Sequence, residues 1–174
     1  IKAAKRPMIF VGSGAIHARE EILELAEMID APVVAFRSGR GIVSNAHELG
    51  LTMAAAYRLW RTNDLMIGIG TRMELPASGF RWPYQPPGLK SVRIDIDPVE
   101  LGKIYRTDVG IWADAGAALE DLTGALAGDA SRFDERRADT VAEIAARRAD
   151  WRAVAEALYR SDERPIHMAR VLAE

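Results

Sequence analysis

The chain has 174 residues, of which 49% are hydrophobic and 28% are charged, and its formal net charge is −2. That size and apolar content suit one domain with some additional chain, and the near-neutral charge gives no electrostatic reason to expect nucleic acid or an anionic membrane as a partner. The sequence has no cysteine, which excludes disulfides and thiolate metal sites and fits the cytoplasmic location that we expect. Since the chain starts at Ile1 and ends inside a helix-like stretch, we expect a segment of a longer protein.

Strands and helices are predicted to alternate along most of the chain. Short apolar runs predict five buried strands, at RPMIFVG (6–12), PVVAF (32–36), DLMIGIG (64–70), SVRIDID (91–97) and VGIWA (109–113). Helical spacing predicts helices at 17–31, 52–63, 98–105 and 114–128, and glycine-rich composition predicts a loop at 37–50. Strands that are apolar on both faces and joined by helices indicate an α/β domain with a doubly wound parallel sheet. After residue 128 the composition becomes charged and alanine-rich, which predicts an amphipathic linker helix within 129–162.

Two aspartates follow the predicted fourth strand and have different expected roles. Asp97, Pro98 and Glu100 form a helix-start pattern, with Asp97 as the N-cap and Glu100 reaching back to it. Asp95 lies at the carboxyl end of the strand, where ligands collect in open α/β sheets. It either accepts hydrogen bonds from a ribose or adenine group, or forms an ion pair with an arginine.

A glycine loop, VGSGAIHA, closes the first strand. Gly12 and Gly14 either allow a ligand to approach the backbone or only shape the turn. His17 replaces the third glycine of the dinucleotide-binding pattern, and Arg37 occupies the region where that pattern places an acidic residue. These departures disfavour a simple NAD dehydrogenase.

One further candidate follows the third strand. Arg72, after Gly70, either clamps a phosphate with two hydrogen bonds or lies at the sheet edge. The three histidines lack metal-ligand spacing, and no nucleophile–base pair or paired carboxylates emerge. We therefore predict no metal site and no catalytic residue in this chain, which binds rather than reacts.

Five stretches in order carry a family resemblance: KRPMIFVGSGA, APVVAFRSGRGIVSNAHELGL, NDLMIGIGTR, SVRIDIDPVELGK and DVGIWADAGAALEDL. The set resembles the central domain of thiamine-diphosphate-dependent enzymes of the acetolactate synthase, pyruvate oxidase and benzoylformate decarboxylase type. The resemblance implies six parallel strands and a three-domain parent that decarboxylates a 2-oxo acid, with or without carbon–carbon bond formation. It also implies that the parent is a homodimer or homotetramer, and that thiamine diphosphate and Mg²⁺ lie between catalytic domains flanking this one. The segment would then be a structural spacer without a catalytic centre.

The resemblance also implies domain bounds. We predict a Rossmann-like central domain at 1–128, a helical linker at 129–162, and the start of the following pyrophosphate-binding domain at 163–174.

Flavin-containing members of this family hold FAD in the central domain, and the resemblance transfers their cofactor contacts to eight positions. These are Gly12, Gly14, Gly70, Arg72, Asp95, Ile96, Asp114 and Ala115. Flavin-binding synthases carry a Met-His-Gly step in the second loop, whereas this chain has Ala54 and Ala55 after Met53. FAD, another adenine nucleotide such as ADP, and a pocket without ligand therefore stay open.

Two other protein classes share this type of fold. A free-standing NADP-binding domain similar to that of transhydrogenase would use Arg37 for the 2′-phosphate. A sirtuin-type deacetylase usually needs a four-cysteine zinc module, and the absence of cysteine argues against it.

Overall fold

The computed structural model describes residues 1–35, 37–74, 86–104, 107–132 and 136–173. Phe36, predicted to end the second strand, lies outside these ranges. The sequence also predicts a long loop at 71–88 whose aromatic residues, Phe80, Trp82 and Tyr84, pack under the loop or against a partner domain. These three residues lie outside the described ranges too.

Six parallel strands form one sheet in the order β3-β2-β1-β4-β5-β6. The strands are β1 Pro7–Val11, β2 Val33–Ala35, β3 Gly50–Leu51, β4 Leu65–Ile69, β5 Lys90–Asp95 and β6 Val109–Trp112. The α-helices within the described ranges are α1 Arg19–Met28, α2 Met53–Leu59, α3 Ala115–Leu126, α4 Arg137–Tyr159 and α5 Met168–Ala173. The predicted doubly wound α/β fold with a C-terminal helix is therefore confirmed.

Two local predictions were wrong. Strand β3 falls in the stretch predicted as a loop, because it is only two residues long and shows no periodicity; it is set by pairing of Gly50 with Val33. The predicted helix at 98–105 is a short 3₁₀-helix, Pro98–Gly102.

The core lies on both faces of the two central strands. Every residue of β1 and β4 is buried, and α1 packs beside α3 while α2 packs beside α4. Phe10 of β1 meets Trp60 edge to face, with ring centroids 6.0 Å apart. None of the helices in the described ranges is long and apolar enough to cross a bilayer.

Helix α4 is attached to the sheet domain mainly through arginines. Only Ile144 and Ala155 of this helix are buried. Arg148 donates hydrogen bonds to the carbonyl oxygens of Gly50 and His47, and burial lowers the pKa of its guanidinium. The contact to Gly50 ties the helix to edge strand β3.

Because β1 continues to β2 and β3 on one side while β4 returns to its other side, the strand order reverses between β1 and β4. Open α/β sheets bind ligands in the crevice outside the carboxyl ends of the strands at such a reversal.

Candidate functional site

A cavity of about 540 Å³ opens at this carboxyl edge. Its walls come from the loops that follow β1, β2, β4, β5 and β6. All eight residues predicted to contact a cofactor line it, namely Gly12, Gly14, Gly70, Arg72, Asp95, Ile96, Asp114 and Ala115. The structure thus brings together residues that are more than 100 positions apart in sequence, in a volume typical of small-molecule sites.

Three glycines let two of these loops touch backbone to backbone. A Cβ on Gly12 would lie 2.4 Å from the carbonyl oxygen of Gly70, and Gly70 itself has a φ of +52°. The amide of Gly12 donates to Ile69 O (3.1 Å), that of Gly14 to Gly70 O (3.0 Å), and that of Gly70 to Ile94 O (2.9 Å). This close approach supports turn shaping, one of the two roles considered for the glycine loop, and neighbouring carbonyl oxygens already accept the hydrogen bonds of these three amides.

Asp95, the last residue of β5, and Asp97 both accept hydrogen bonds that shape the turn after this strand. Asp97 caps the 3₁₀-helix by accepting a hydrogen bond from Val99 N at 2.9 Å, as predicted. We expected the Glu100 side chain to reach back to Asp97. That prediction is wrong, because the amide of Asp97 donates to Asp95 Oδ1 at 3.0 Å instead. Among the ion pairs of the described residues none involves Asp95, and its carboxylate shapes this turn while facing the cavity.

Glu100 has a different role from the one predicted. Its side chain is buried, and its Oε1 pairs with Lys103 Nζ at 2.8 Å. The helix-start pattern did not predict this role, because the burial of Glu100 in the short 3₁₀-helix depends on packing against the sheet, which adjacent residues do not reveal.

Two arginines supply positive charge to the cavity. Arg37 lies 3.9 Å from Glu74, and Arg72 lies 3.9 Å from Glu100, in both cases between side-chain nitrogen and carboxylate oxygen. Each arginine side chain is 71% exposed. Both contacts are long and both guanidinium groups are mostly exposed, so a bound phosphate can approach either of them; the Glu100 partner of Arg72 is itself buried.

His17 and Asp114 join two further loops across the cavity rim. The His17 ring nitrogen Nε2 lies 2.9 Å from Asp114 Oδ2. Asp114 also caps α3, since its Oδ1 accepts hydrogen bonds from Gly116 N and Ala117 N. The backbone hydrogen bond from Ala117, followed by that from His17, lowers the pKa of the Asp114 carboxyl.

Sequence reasoning missed one residue behind the cavity. Arg93 lies in the middle of β5, is fully buried, and donates hydrogen bonds to the carbonyl oxygens of Thr71 and Glu100. A charged residue between the apolar Val92 and Ile94 of a strand was the signal that could have revealed it.

We expect Gly12→Ala to destabilise the protein by about 1–3 kcal/mol, because the added Cβ overpacks against backbone that cannot move cheaply. Urea denaturation measures the change. The matched control is Gly124→Ala in α3, where a Cβ meets nothing within 4 Å and the free energy of unfolding should rise by about 0.5–1 kcal/mol. Equal effects of the two substitutions would contradict the loop contact.

The lowered pKa of Asp114 leads us to expect that the stability of the fold depends on pH. Because folding lowers the pKa of its carboxyl, the ionised form stabilises the fold above the ordinary aspartate pKa of about 3.9, and this contribution is lost as the pH falls through the lower folded pKa. Asp114→Asn keeps a capping oxygen but removes the charge. The stability difference between the natural chain and this variant should therefore shrink between about pH 5 and pH 2. A constant difference across urea titrations in that range would refute the assignment.

Comparison with known proteins identifies the family. The model for the central domain of thiamine pyrophosphate enzymes matches residues 1–122. A probable acetolactate synthase large subunit from Methanocaldococcus jannaschii is 37% identical over 134 residues, which are 72% of this chain and 22% of that protein.

Two other relatives agree. The acetolactate synthase isozyme 1 large subunit of Escherichia coli is 36% identical over 70% of this chain and 23% of its own length. A putative thiamine pyrophosphate-containing protein of Bacillus subtilis is 32% identical over 71% of this chain and 21% of its own length. The matched region thus spans about a fifth of the length of these relatives. The chain belongs to the family of thiamine pyrophosphate enzyme central domains and is similar to the central part of acetolactate synthase-like proteins.

Proposed function

We propose that this chain is the central domain of a thiamine-diphosphate-dependent enzyme that decarboxylates a 2-oxo acid, with or without carbon–carbon bond formation. In that enzyme it spaces the catalytic domains and binds an adenine nucleotide. The convergence of the eight predicted residues on one cavity at the sheet reversal carries the nucleotide proposal.

The donors and acceptors of the cavity suit an adenosine diphosphate group. Arg37 and Arg72 offer exposed guanidinium groups whose ion pairs with Glu74 and Glu100 are 3.9 Å long, and guanidinium binds phosphate with two hydrogen bonds. Asp95, the last residue of β5, offers a carboxylate oxygen to ribose hydroxyls or to the adenine amine. The ligand would therefore lie with phosphates toward β4 and nucleoside toward β5 and β6.

ADP is the form of nucleotide that we favour over FAD. Met53, Ala54 and Ala55 stand where flavin-binding relatives carry Met-His-Gly, and Ala55 is buried in α2. Among the described residues, α2 contributes nothing to the cavity wall. NADP stays a second candidate, because Arg37 lines the cavity beyond β2, where a cation suits a 2′-phosphate.

Thiamine diphosphate and Mg²⁺ are assigned in this proposal to the flanking domains. Within the described ranges no three His, Asp or Glu side chains are grouped to hold a metal ion. The residues present do not fit the magnesium-bound cofactor, so we derive no chemical step in this chain.

The partners we propose are flanking catalytic domains of the same polypeptide, within a homodimer or homotetramer. The match covers only about a fifth of the relatives. In addition, Ile96, Val99 and Trp112 are each about two-thirds exposed or more beside edge strand β6. An apolar patch of this kind is typical of an interaction surface. The domain bounds at 128 and 162, and the cytoplasmic location, stay predictions.

Isothermal titration of the chain with ADP, FAD and NADPH tests the nucleotide site. We expect ADP to bind, and Asp95→Ala or Arg72→Ala to weaken it about tenfold, which is about 1.4 kcal/mol. Arg61→Ala, an exposed arginine outside the cavity, is the matched control and should bind as the natural chain does. Unchanged affinity in both cavity variants would move the ligand elsewhere, and a loss confined to NADPH in Arg37→Ala would favour NADP.

The parent reaction is tested on the full-length gene product. We expect it to release CO₂ from a 2-oxo acid such as pyruvate only when thiamine diphosphate and Mg²⁺ are added. Turnover by the 174-residue chain alone would overturn the assignment of the catalytic centre to other domains.

A further inference from the structure

Strand β5 carries one long cation inside the sheet. Arg93 has no exposed surface. Its register partners on the neighbouring strands are Gly68 of β4 and Gly110 of β6, so neither neighbour presents a side chain beside it. A Cβ at Gly68 would lie 3.0 Å from the sulfur of Met73, and one at Gly110 would lie 3.4 Å from the side chain of Leu101.

The guanidinium of Arg93 reaches two different loops of the cavity. Its Nη2 donates to Thr71 O at 2.6 Å, and its Nη1 donates to Glu100 O. Thr71 precedes Arg72 in the loop after β4, and Glu100 lies in the 3₁₀-helix that follows Asp95 and Asp97. One planar side chain therefore links the loop of Arg72, proposed to bind phosphate, to the segment of Asp95, proposed to bind ribose.

We infer that Arg93 is a positioning residue that sets the distance between these two loops, and through it the alignment of Arg72 with Asp95. The inference rests on the proposed nucleotide site. Hydrogen bonds from a charged donor are stronger than neutral ones, and the fixed fork of a guanidinium specifies two directions at once, which an ammonium does not. The ligand contacts themselves belong to other residues.

A purely space-filling role makes a different prediction. If Arg93 only fills the sheet face, methionine, which has a similar unbranched stem, replaces it without changing the loops. If Arg93 positions the loops, their carbonyls lose their link in Arg93→Met and the two segments open independently.

Hydrogen exchange of the chain without ligand separates these roles. The amides of Gly70 and Met73 in one loop, and of Val99 and Glu100 in the other, all donate internal hydrogen bonds and report on loop opening. We expect Arg93→Met to speed exchange in segments 70–73 and 97–100 by about tenfold or more while β1 stays protected. Arg93→Lys should show a smaller increase in the same two segments.

Ser91→Ala is the matched control, because Ser91 is a buried polar residue of the same strand that bonds Asp108 at the opposite end of the sheet. It should leave both cavity segments unchanged. Exchange that is unaltered in Arg93→Met, or raised equally by Ser91→Ala, overturns the inference. If Arg93→Met does not fold, unaltered exchange in Arg93→Lys overturns it instead.

ADP titration of the same variants then connects Arg93 to binding. We expect the dissociation constant to rise about tenfold in Arg93→Met and to recover partly in Arg93→Lys. Faster loop exchange with unchanged ADP affinity would overturn the positioning role. Absence of ADP binding in the natural chain would refute the proposed nucleotide site, while the exchange data would still decide whether Arg93 links the loops.

Discussion

The carboxyl edge of this sheet depends on backbone contact between two loops at the point where the strand order reverses. Gly12 and Gly14 after β1 lie directly against Gly70 after β4, at distances that no Cβ allows. Neighbouring carbonyls accept the hydrogen bonds of all three amides. The hydrogen bonds of Gly12 and Gly14 continue the pairing of β1 and β4 past the ends of the two strands, and all three glycines line the cavity.

The charged side chains at the cavity already have hydrogen-bond or ion-pair partners within the protein, and a ligand that binds one of them must compete with its partner. The carboxylates on its wall are Glu74, Asp95, Asp97, Glu100 and Asp114. Each of them caps a turn, caps a helix or pairs with a cation. The arginine pairs are the longest of these contacts at 3.9 Å. An anionic ligand can therefore compete for Arg37 and Arg72, whereas Asp97 and Asp114 cap the helices that follow them.

Much of the architecture could be predicted from local pattern. Continuous apolar runs placed β1, β2 and β4 within a few residues, since a strand buried on both faces needs apolar residues throughout. Shorter apolar stretches placed β5, which Arg93 interrupts, and β6, an edge strand whose Val109 and Trp112 are more than half exposed. Asp97 and Pro98 marked a helix start through capping chemistry that involves only adjacent residues. The residues of the candidate site could be placed at one edge because parallel strands end on the same side of a sheet.

By itself, then, the sequence determined the elements and the edge at which polar residues gather, because these follow from contacts between residues close in the chain. Only the tertiary structure decided that Gly50 pairs as a strand, that His17 meets Asp114 across 97 positions, and that Arg93 joins two loops. The physical reason is the same in each case. A hydrogen bond needs its atoms about 3 Å apart, and for groups distant in sequence that distance exists only after the sheet has assembled.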